Sequence, residues 1–286
     1  MSAPAKPGMR AVREAVVAAL RAGGVESAAE TLASEAGDAL TPEDRLRAAD
    51  LAADVERRAR QLEQMMANAL ATVFEGDADI ALSREDLRAL AFPLLTELIL
   101  PHRASSKQLV DSYAAIAARI GVPADASERL LKQLASEVHL MRSAARLAAV
   151  QALYQMETAH QPLDKVREQF ESLRIGAEID GEKYREADID LFRKTLRDAH
   201  GGQVRIDQLT DRVLADKWPL GRVDATLRAL FRAAGAELSG AKTTPPKVVI
   251  SEYVDVAHAF FPEGKEPGMV NAVLDAMARE LRPEAF

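Results

Sequence analysis

The sequence predicts an all-α protein made of two tandem helical bundles, and three observations support this. The chain is rich in alanine and leucine, and only 5% of its residues are aromatic, a composition that favours helices over sheets. Apolar residues recur at helical spacing along most of the chain, beginning with Val12, Val16 and Leu20. The 286 residues are enough for two domains that each bury their own core.

In the first half, turn and capping residues divide this periodicity into six predicted helices. The segment Thr41-Pro42-Glu43-Asp44 starts a long helix, because it supplies a cap, a proline at the first helical position and two acids near the positive end of the helix dipole. Ser83 to Asp86 has the form of a capping box. The predicted helices are Met9–Ala22, Ser27–Ala36, Pro42–Val73, Ser83–Leu100, Lys107–Ile120 and Ser127–Leu140.

The second half repeats this order of helices. Gly201-Gly202 is predicted to interrupt one of them. Lys247–Ile250 resembles a strand but is interpreted as the β-branched entry to a buried helix, and Pro267-Gly268 is expected to fold the last helix back with Met269 outward. The predicted helices are Ser143–Glu157, Leu163–Leu173, Ala187–Ala199, Val204–Lys217, Val223–Leu238 and the two arms of Pro245–Met277.

An internal repeat relates the two halves. Arg13–Leu20 aligns with Arg146–Leu153 at a shift of 133 positions, and a shift of 140 positions holds without a gap from Leu87 to Leu134. The sequence therefore predicts two copies of one helical domain, at residues 1–140 and 141–286. Among the pairs matched by the second shift are Glu97 with Glu237, Lys107 with Lys247, and Tyr113 with Tyr253.

Charge and composition exclude several classes of protein. The formal net charge is −7, which argues against coating nucleic acid by bulk electrostatics. Residues 1–140 carry a net charge of −5 and residues 141–286 carry −2, so a local basic face is more plausible in the second half. The chain has no cysteine, no phosphate-binding glycine motif and no metal-ligand spacing among its histidines. We therefore expect a cytoplasmic protein that is not an enzyme and has no cofactor. Trp218 is expected to anchor one end of a bundle.

Three motifs in the second half resemble the NusB family. Arg146–Tyr154 resembles the family's opening helix, with its Gln-Ala-Leu-Tyr ending, and Val248–Val254 matches the aliphatic run that leads into a helix. Gly268–Asp275 matches the closing Val-Asn-x-Val-Leu-Asp motif. The resemblance covers residues 142–283. The first half is similar only in outline, closer to the divergent NusB-like domain of ribosomal RNA cytosine methyltransferases.

The resemblance implies a fold and a function. The implied fold has seven helices in two small bundles, so the whole chain is expected to hold two tandem NusB-like domains. The implied role is transcription antitermination, in which NusB proteins pair with the ribosomal protein NusE and bind boxA-type single-stranded RNA of ribosomal RNA leaders. The complex is delivered to RNA polymerase with other Nus factors.

The same resemblance, with the spacing of basic residues, gives the candidate RNA contacts. Arg142 and Arg146 are four residues apart and share a helix face, which suits a track of phosphates. The predicted RNA-binding residues are Arg142, Arg146, Gln151, Arg228, Arg232 and Lys247. Each basic group has an open alternative. Arg142 and Arg146 could be a solvated helix start, Arg228 and Arg232 could form surface salt bridges with Asp224 and Glu237, and Lys247 could simply be exposed.

The predicted partner-binding residues are Tyr154, Glu252 and Met269. Tyr154 is expected either to stack a base or to pack, and Met269 is a soft, adaptable side chain suited to a protein surface. Gly235-Ala236 replaces a family pair that usually includes tyrosine, which indicates a changed local surface.

Two further questions stay open at this level. The alternative function is a non-catalytic helical scaffold that regulates RNA polymerase or a sigma factor without sequence-specific RNA binding. The acidic first copy could imitate a second subunit that covers the RNA-binding face, or it could only stabilise the second copy.

Overall fold

The computed structural model consists of two compact units, Met1–His139 and Leu140–Phe286. Helices form nearly all of the regular structure in the described ranges, which confirms the predicted all-α fold. The structure describes residues 7–34, 40–73, 83–100, 104–179, 182–214, 219–240 and 244–286. Trp218, the predicted anchor of a bundle end, lies outside these ranges.

In its described residues the first unit contains five α-helices and the first part of a sixth, and side-chain caps start three of them. The hydroxyl of Thr41 accepts a hydrogen bond from the backbone N–H of Asp44 at 3.1 Å, and that of Ser83 accepts from Asp86 at 3.0 Å. Ser105 forms a complete capping box. The helices are α1 (Pro7–Gly23), α2 (Ala28–Ser34), α3 (Pro42–Val73), α4 (Arg84–Ile99), α5 (Ser106–Arg119) and the start of α6 (Ala124–Ala159).

The described part of the second unit contains the rest of α6, five further α-helices and a short antiparallel hairpin. Its core is built around the fully buried side chains of Phe170, Phe192, Phe231 and Tyr253. The remaining elements are α7 (Leu163–Leu173), β1 (Glu178–Ile179), β2 (Glu182–Lys183), α8 (Ile189–Val213), α9 (Ala225–Ser239), α10 (Pro246–Phe260) and α11 (Glu266–Leu281).

Two predicted helix breaks are absent. Helix α6 runs from Ala124 to Ala159 without interruption, because this segment contains no glycine or proline to end it. Helix α8 continues through Gly201-Gly202, although each glycine costs roughly 0.5–1 kcal/mol relative to alanine. Buried residues on both sides of the glycines share one face of α8, and their burial outweighs this cost. They are Phe192, Leu196, Ala199, Ile206 and Leu209.

The continuity of α8 changes the helix count of the second unit. Ala187–Ala199 and Val204–Lys217 were predicted as separate helices, but α8 joins the first to the second as far as Val213, and the end of the second prediction lies outside the described residues. The described ranges of this unit therefore hold six α-helices rather than the implied seven. The interpretation of Lys247–Ile250 as a helix entry agrees with the start of α10 at Pro246. No helix in the described ranges has the length and apolar character that crossing a membrane requires.

Candidate nucleic-acid interface

Arg146 lies in a buried ion cluster. Its guanidinium donates two hydrogen bonds to Glu237, from Nε at 3.0 Å and Nη2 at 2.7 Å, and one from Nη1 to Glu252 at 2.8 Å. The hydroxyl of Ser143 donates to the same oxygen of Glu252 at 2.8 Å. Arg146 is only 3% exposed and Glu252 only 7%. We call Ser143, Arg146, Glu237 and Glu252 the Arg146 cluster; it joins α6 to α9 and α10.

The electrostatics of this cluster keep Arg146 charged inside the bundle. Burial alone would favour the neutral guanidinium, but the hydrogen bonds and charge of Glu237, with the charge of Glu252, raise the pKa of Arg146 above its ordinary value. These side chains hydrogen-bond to one another in the interior of the second unit. The structure therefore contradicts the predicted RNA contact of Arg146 and the predicted partner contact of Glu252.

A second ion cluster takes up Arg228 and Arg232. Arg232 is 8% exposed and donates to both carboxylate oxygens of Asp207 at 2.8 Å, and also to Glu157. Arg228 donates from Nε to Glu157 at 2.8 Å and from Nη1 to the backbone carbonyl of Val223. The burial of Arg232 contradicts its predicted RNA contact. The guanidinium of Arg228 is already hydrogen-bonded within the protein. Both arginines form salt bridges, as the alternative supposed, but their carboxylates are Glu157 of α6 and Asp207 of α8 rather than Asp224 and Glu237.

Glu157→Gln is expected to destabilise the second unit by about 1–2 kcal/mol at neutral pH, because a charged acceptor for two arginines is lost. Burial alone would raise the pKa of Glu157, but Arg228 and Arg232 together lower it by more, so the pKa lies below its usual value. A depressed folded-state pKa gives stability that is present above the unfolded pKa and disappears as the pH falls through the folded value.

The difference between wild type and variant in urea denaturation should therefore shrink as the pH is lowered towards about 3. Glu168→Gln, at an exposed site on α7, is the matched control and should have little effect at either pH. An equal loss of stability for Glu157→Gln at both pH values would contradict this reading.

The accessible face of α6 in the second unit carries Gln151 and Tyr154. Together with Leu147 they occupy one side of the helix, with Gln151 half-buried and Tyr154 41% exposed. Arg142 lies about half a turn away, at about 100° per residue, on the side that faces the core. Its side chain is 33% exposed, and its Nε lies 3.6 Å from the carboxylate of Asp188. Arg142 therefore lies on a different side of α6 from Gln151 and Tyr154.

Lys247 and Met269 differ in accessibility. Lys247 is exposed in the first turn of α10, and the next residue, Val248, is 44% exposed. Met269 is half-buried and packs against the core of the unit, so less of it faces outward than predicted. Lys247 is thus an accessible cation for a phosphate, whereas Met269 offers only part of its side chain to a partner.

One structural residue of this region, Arg282, was not identified from the sequence. Arg282 is 3% exposed and donates to three backbone carbonyls, of Leu238 and Thr244 at 2.7 Å and of Glu237 at 2.8 Å. It fastens the end of α9 to the segment that enters α10. A single arginine before Pro283 gives no pattern that would have revealed this role.

Gly235 marks a close approach of helices. A Cβ at this position would lie 2.5 Å from Cγ2 of Ile206 and 3.0 Å from Cε of Met277. The missing aromatic residue therefore removes bulk from the interior, where α8 and α11 pack on α9. The changed outer surface inferred from Gly235-Ala236 is not what the structure has at Gly235, which is buried.

The first unit contains a buried cluster of the same kind. Arg13 donates to Glu97 from Nε at 2.7 Å and Nη2 at 2.9 Å, and the hydroxyl of Tyr113 donates to Glu97 at 2.9 Å. Arg13 also donates to Ser112 at 3.2 Å. The internal repeat aligns these residues with Arg146, Glu237, Tyr253 and Glu252.

The accessible predicted residues of the second unit offer contacts suited to single-stranded nucleic acid. Tyr154 supplies an aromatic ring for stacking, Gln151 an amide for base edges, and Lys247 a cation for phosphate. No group of side chains in the described ranges could hold a metal ion.

Known proteins resemble the second half of the chain. The family model described as NusB family matches residues 143–279. A transcription antitermination protein NusB of Nitrobacter hamburgensis is 51% identical over 145 residues, which cover 51% of this chain and 90% of that protein. The protein of the same name from Rhodopseudomonas palustris strain TIE-1 is 52% identical over 145 residues, covering 51% and 83%. That of Mesorhizobium japonicum is 48% identical over 143 residues, covering 50% and 92%.

Proposed function

Because the chain belongs to the NusB family, we propose that it acts in transcription antitermination. In this proposal the second unit, Leu140–Phe286, binds boxA-type single-stranded RNA of ribosomal RNA leaders together with the ribosomal protein NusE, and reaches RNA polymerase through that complex. The observation that carries the proposal is the family match over residues 143–279. The family is non-catalytic, in agreement with the prediction that the chain is not an enzyme.

The accessible residues supply the proposed contacts. Tyr154 stacks on a base, Gln151 contacts a base edge, and Lys247 and the exposed part of Arg142 neutralise phosphates. Met269 contributes its accessible part to the NusE surface. With so few cations, binding to RNA alone is expected to be weak and salt-dependent, so NusE should strengthen it.

Tyr154→Ala is expected to weaken boxA binding by about 1–3 kcal/mol, the usual contribution of one stacked base. The melting temperature should change little, because the ring is 41% exposed. Fluorescence anisotropy of labelled boxA RNA measures the affinity. Tyr184→Ala, at a ring that is 52% exposed in the same unit, is the matched control and should bind as wild type does. Equal affinities for the two variants would remove Tyr154 from the interface.

The proposal is tested by titrating labelled boxA RNA and a scrambled RNA of the same composition with the full chain, with and without NusE. Preference for boxA and enhancement by NusE are expected. No preference and no enhancement would overturn the proposal in favour of the helical scaffold that regulates polymerase or a sigma factor.

For the first unit we propose a divergent NusB-like copy, similar to the N-terminal domain of ribosomal RNA cytosine methyltransferases. The support is the matching order of helices and the buried cluster of Arg13, Glu97 and Tyr113, which repeats the Arg146–Glu237 pairing. Ser112 stands where the second copy has Glu252. The first copy thus keeps the central arginine and glutamate but omits one acid.

A further inference from the structure

Three glutamine side chains meet at the corner between α6 and α7. Nε2 of Gln155 on α6 donates hydrogen bonds to Oε1 of Gln161 in the connecting turn and to Oε1 of Gln169 on α7, each at 2.8 Å. All three side chains are half-buried. We call Gln155, Gln161 and Gln169 the glutamine cluster; its hydrogen bonds tie the end of α6 to α7.

The turn that joins α6 to α7 brings Gln161 back to Gln155. Helix α6 ends at Ala159, and His160 has a φ of 50°, a left-handed conformation in which histidine is found more often than most residues. Pro162 then caps α7 with a φ of −71°, close to the value that its ring imposes. The cluster is therefore held on a backbone of defined geometry.

Each glutamine of the cluster keeps one polar group that the protein does not use. Gln155 keeps its carbonyl oxygen, and Gln161 and Gln169 keep their NH2 groups, because these side chains form no further hydrogen bond in the part of the chain that the structure describes. None of the three groups is a fully buried atom without a partner, so all three reach solvent. Each lies within one hydrogen bond and one amide group of Nε2 of Gln155. The cluster thus presents two donor groups and one acceptor side by side.

The glutamine cluster adjoins the residues assigned to RNA binding. Gln151 precedes Tyr154 by three residues and Gln155 by four, so both are its neighbours on the surface of α6. The ring of Tyr154 is 41% exposed. A base next to the one that stacks on Tyr154 is therefore within reach of the cluster, which extends the proposed RNA surface from α6 onto α7.

The first unit lacks these glutamines. At the shift of 133 positions that aligns α1 with the second half of α6, Ala18 stands opposite Gln151. Ala22 stands opposite Gln155. The buried arginine–glutamate pairs, by contrast, occur in both units. What the shared fold requires is repeated in both copies, whereas these two glutamines belong to the copy that matches the family.

We propose that the glutamine cluster binds the Watson–Crick edge of one pyrimidine base of the RNA and gives the second unit a base preference. Uracil and cytosine each present two acceptors and one donor on this edge, which the two NH2 groups and the carbonyl oxygen satisfy completely. A purine presents a different set on either of its accessible edges, so at least one group of the cluster is left unpaired, and this costs affinity.

Neutral amides make this contact, so it needs no excess of positive charge. The choice of RNA as the ligand rests on the proposed function, whereas the preference for a pyrimidine rests on the donors and acceptor of the cluster itself.

Gln169→Glu removes the donor of Gln169 but keeps its bond to Gln155, because a carboxylate oxygen still accepts from Nε2. Binding of labelled boxA RNA, measured by fluorescence anisotropy, should weaken about ten-fold, the usual effect of losing a well-made base contact. Gln169→Met removes the amide without adding charge and should show a similar loss. The matched control is Gln208→Glu, which adds the same charge at an exposed glutamine on α8 and should bind nearly as wild type does. Equal losses for Gln169→Glu and Gln208→Glu would show a bulk charge effect and overturn the proposal.

A thermodynamic cycle identifies the base. Each base of the boxA strand is replaced in turn, pyrimidine by purine and purine by pyrimidine, and each RNA is titrated with wild type and with Gln169→Glu. At one pyrimidine the replacement should weaken binding to wild type about ten-fold and change little in the variant, because the contact is already lost. Additive effects at every position, or coupling at a guanine instead, would overturn the proposal.

The same variants separate the glutamine cluster from the proposed function. Additive effects in a chain that prefers boxA over scrambled RNA reject only the cluster. A chain without that preference rejects the boxA function, and the cluster is then tested with poly-uridine and poly-adenosine strands. Wild type should prefer poly-uridine, and Gln169→Glu should not. Loss of the enhancement by NusE in Gln169→Met, with unchanged affinity for RNA alone, would assign the corner to a protein contact and overturn the proposal.

Discussion

Arg146→Ala is expected to lower the free energy of unfolding of the second unit by about 3–5 kcal/mol, the usual effect of removing one partner from a buried ion pair. The variant leaves Glu237 and Glu252 without their shared cation, and the side chains of these acids are only 10% and 8% exposed. Urea denaturation of the full chain measures the loss. Hydrogen exchange resolved by peptide should place it within Leu140–Phe286.

The control is Arg279→Ala. Its side chain is 59% exposed and pairs with Asp275 four residues earlier, so its removal should cost less than about 1 kcal/mol. Arg13→Ala should produce a large loss like that of Arg146→Ala, with increased exchange in the first unit. A loss below about 1 kcal/mol for Arg146→Ala would mean that the buried cluster does not hold the second unit together.

Gly235→Leu is expected to be the other strongly destabilising replacement, costing about 1–3 kcal/mol or more through overpacking. The nearest atoms to an added Cβ are Cγ2 of Ile206 and Cε of Met277, at 2.5 and 3.0 Å. Leucine favours helix over glycine by up to about 1 kcal/mol, so the clash must exceed this gain. Thermal unfolding monitored by circular dichroism measures the net effect.

Gly201→Leu is the matched control for this prediction. Gly201 is an exposed residue within α8, and nothing lies within 4 Å of an added Cβ. The replacement should raise the melting temperature, because only the gain in helix propensity remains. If both leucine variants were more stable than wild type, the close packing of α8 and α11 on Gly235 would be refuted.

The helices were largely predictable from the sequence, whereas the roles of the arginines were not. Spacing of four residues places Arg142 with Arg146, and Arg228 with Arg232, on common helix faces, but it does not tell whether a face points to solvent. The partners of Arg146 are 91 and 106 positions away. Only tertiary packing brings them together, so the local pattern predicted that Arg146 lies on the surface.

The internal repeat nevertheless contained the information. It aligned Arg13 with Arg146 and Glu97 with Glu237, and these are the residues that form buried pairs in each unit. A charged pair that is kept at corresponding positions while its neighbours differ is a sign of a shared interior. The break expected at Gly201-Gly202 failed for a related reason, because burial on one face of α8 outweighs the local preference of glycine.

Transcription through a terminator placed downstream of a boxA element tests the central claim most directly. RNA polymerase, NusE and the remaining Nus factors are supplied, and the chain is added to templates with an intact or a scrambled boxA. Antitermination through boxA predicts that the chain increases read-through on the intact template and not on the scrambled one, and only when NusE is present. Equal read-through on both templates, or no change on adding the chain, would contradict it.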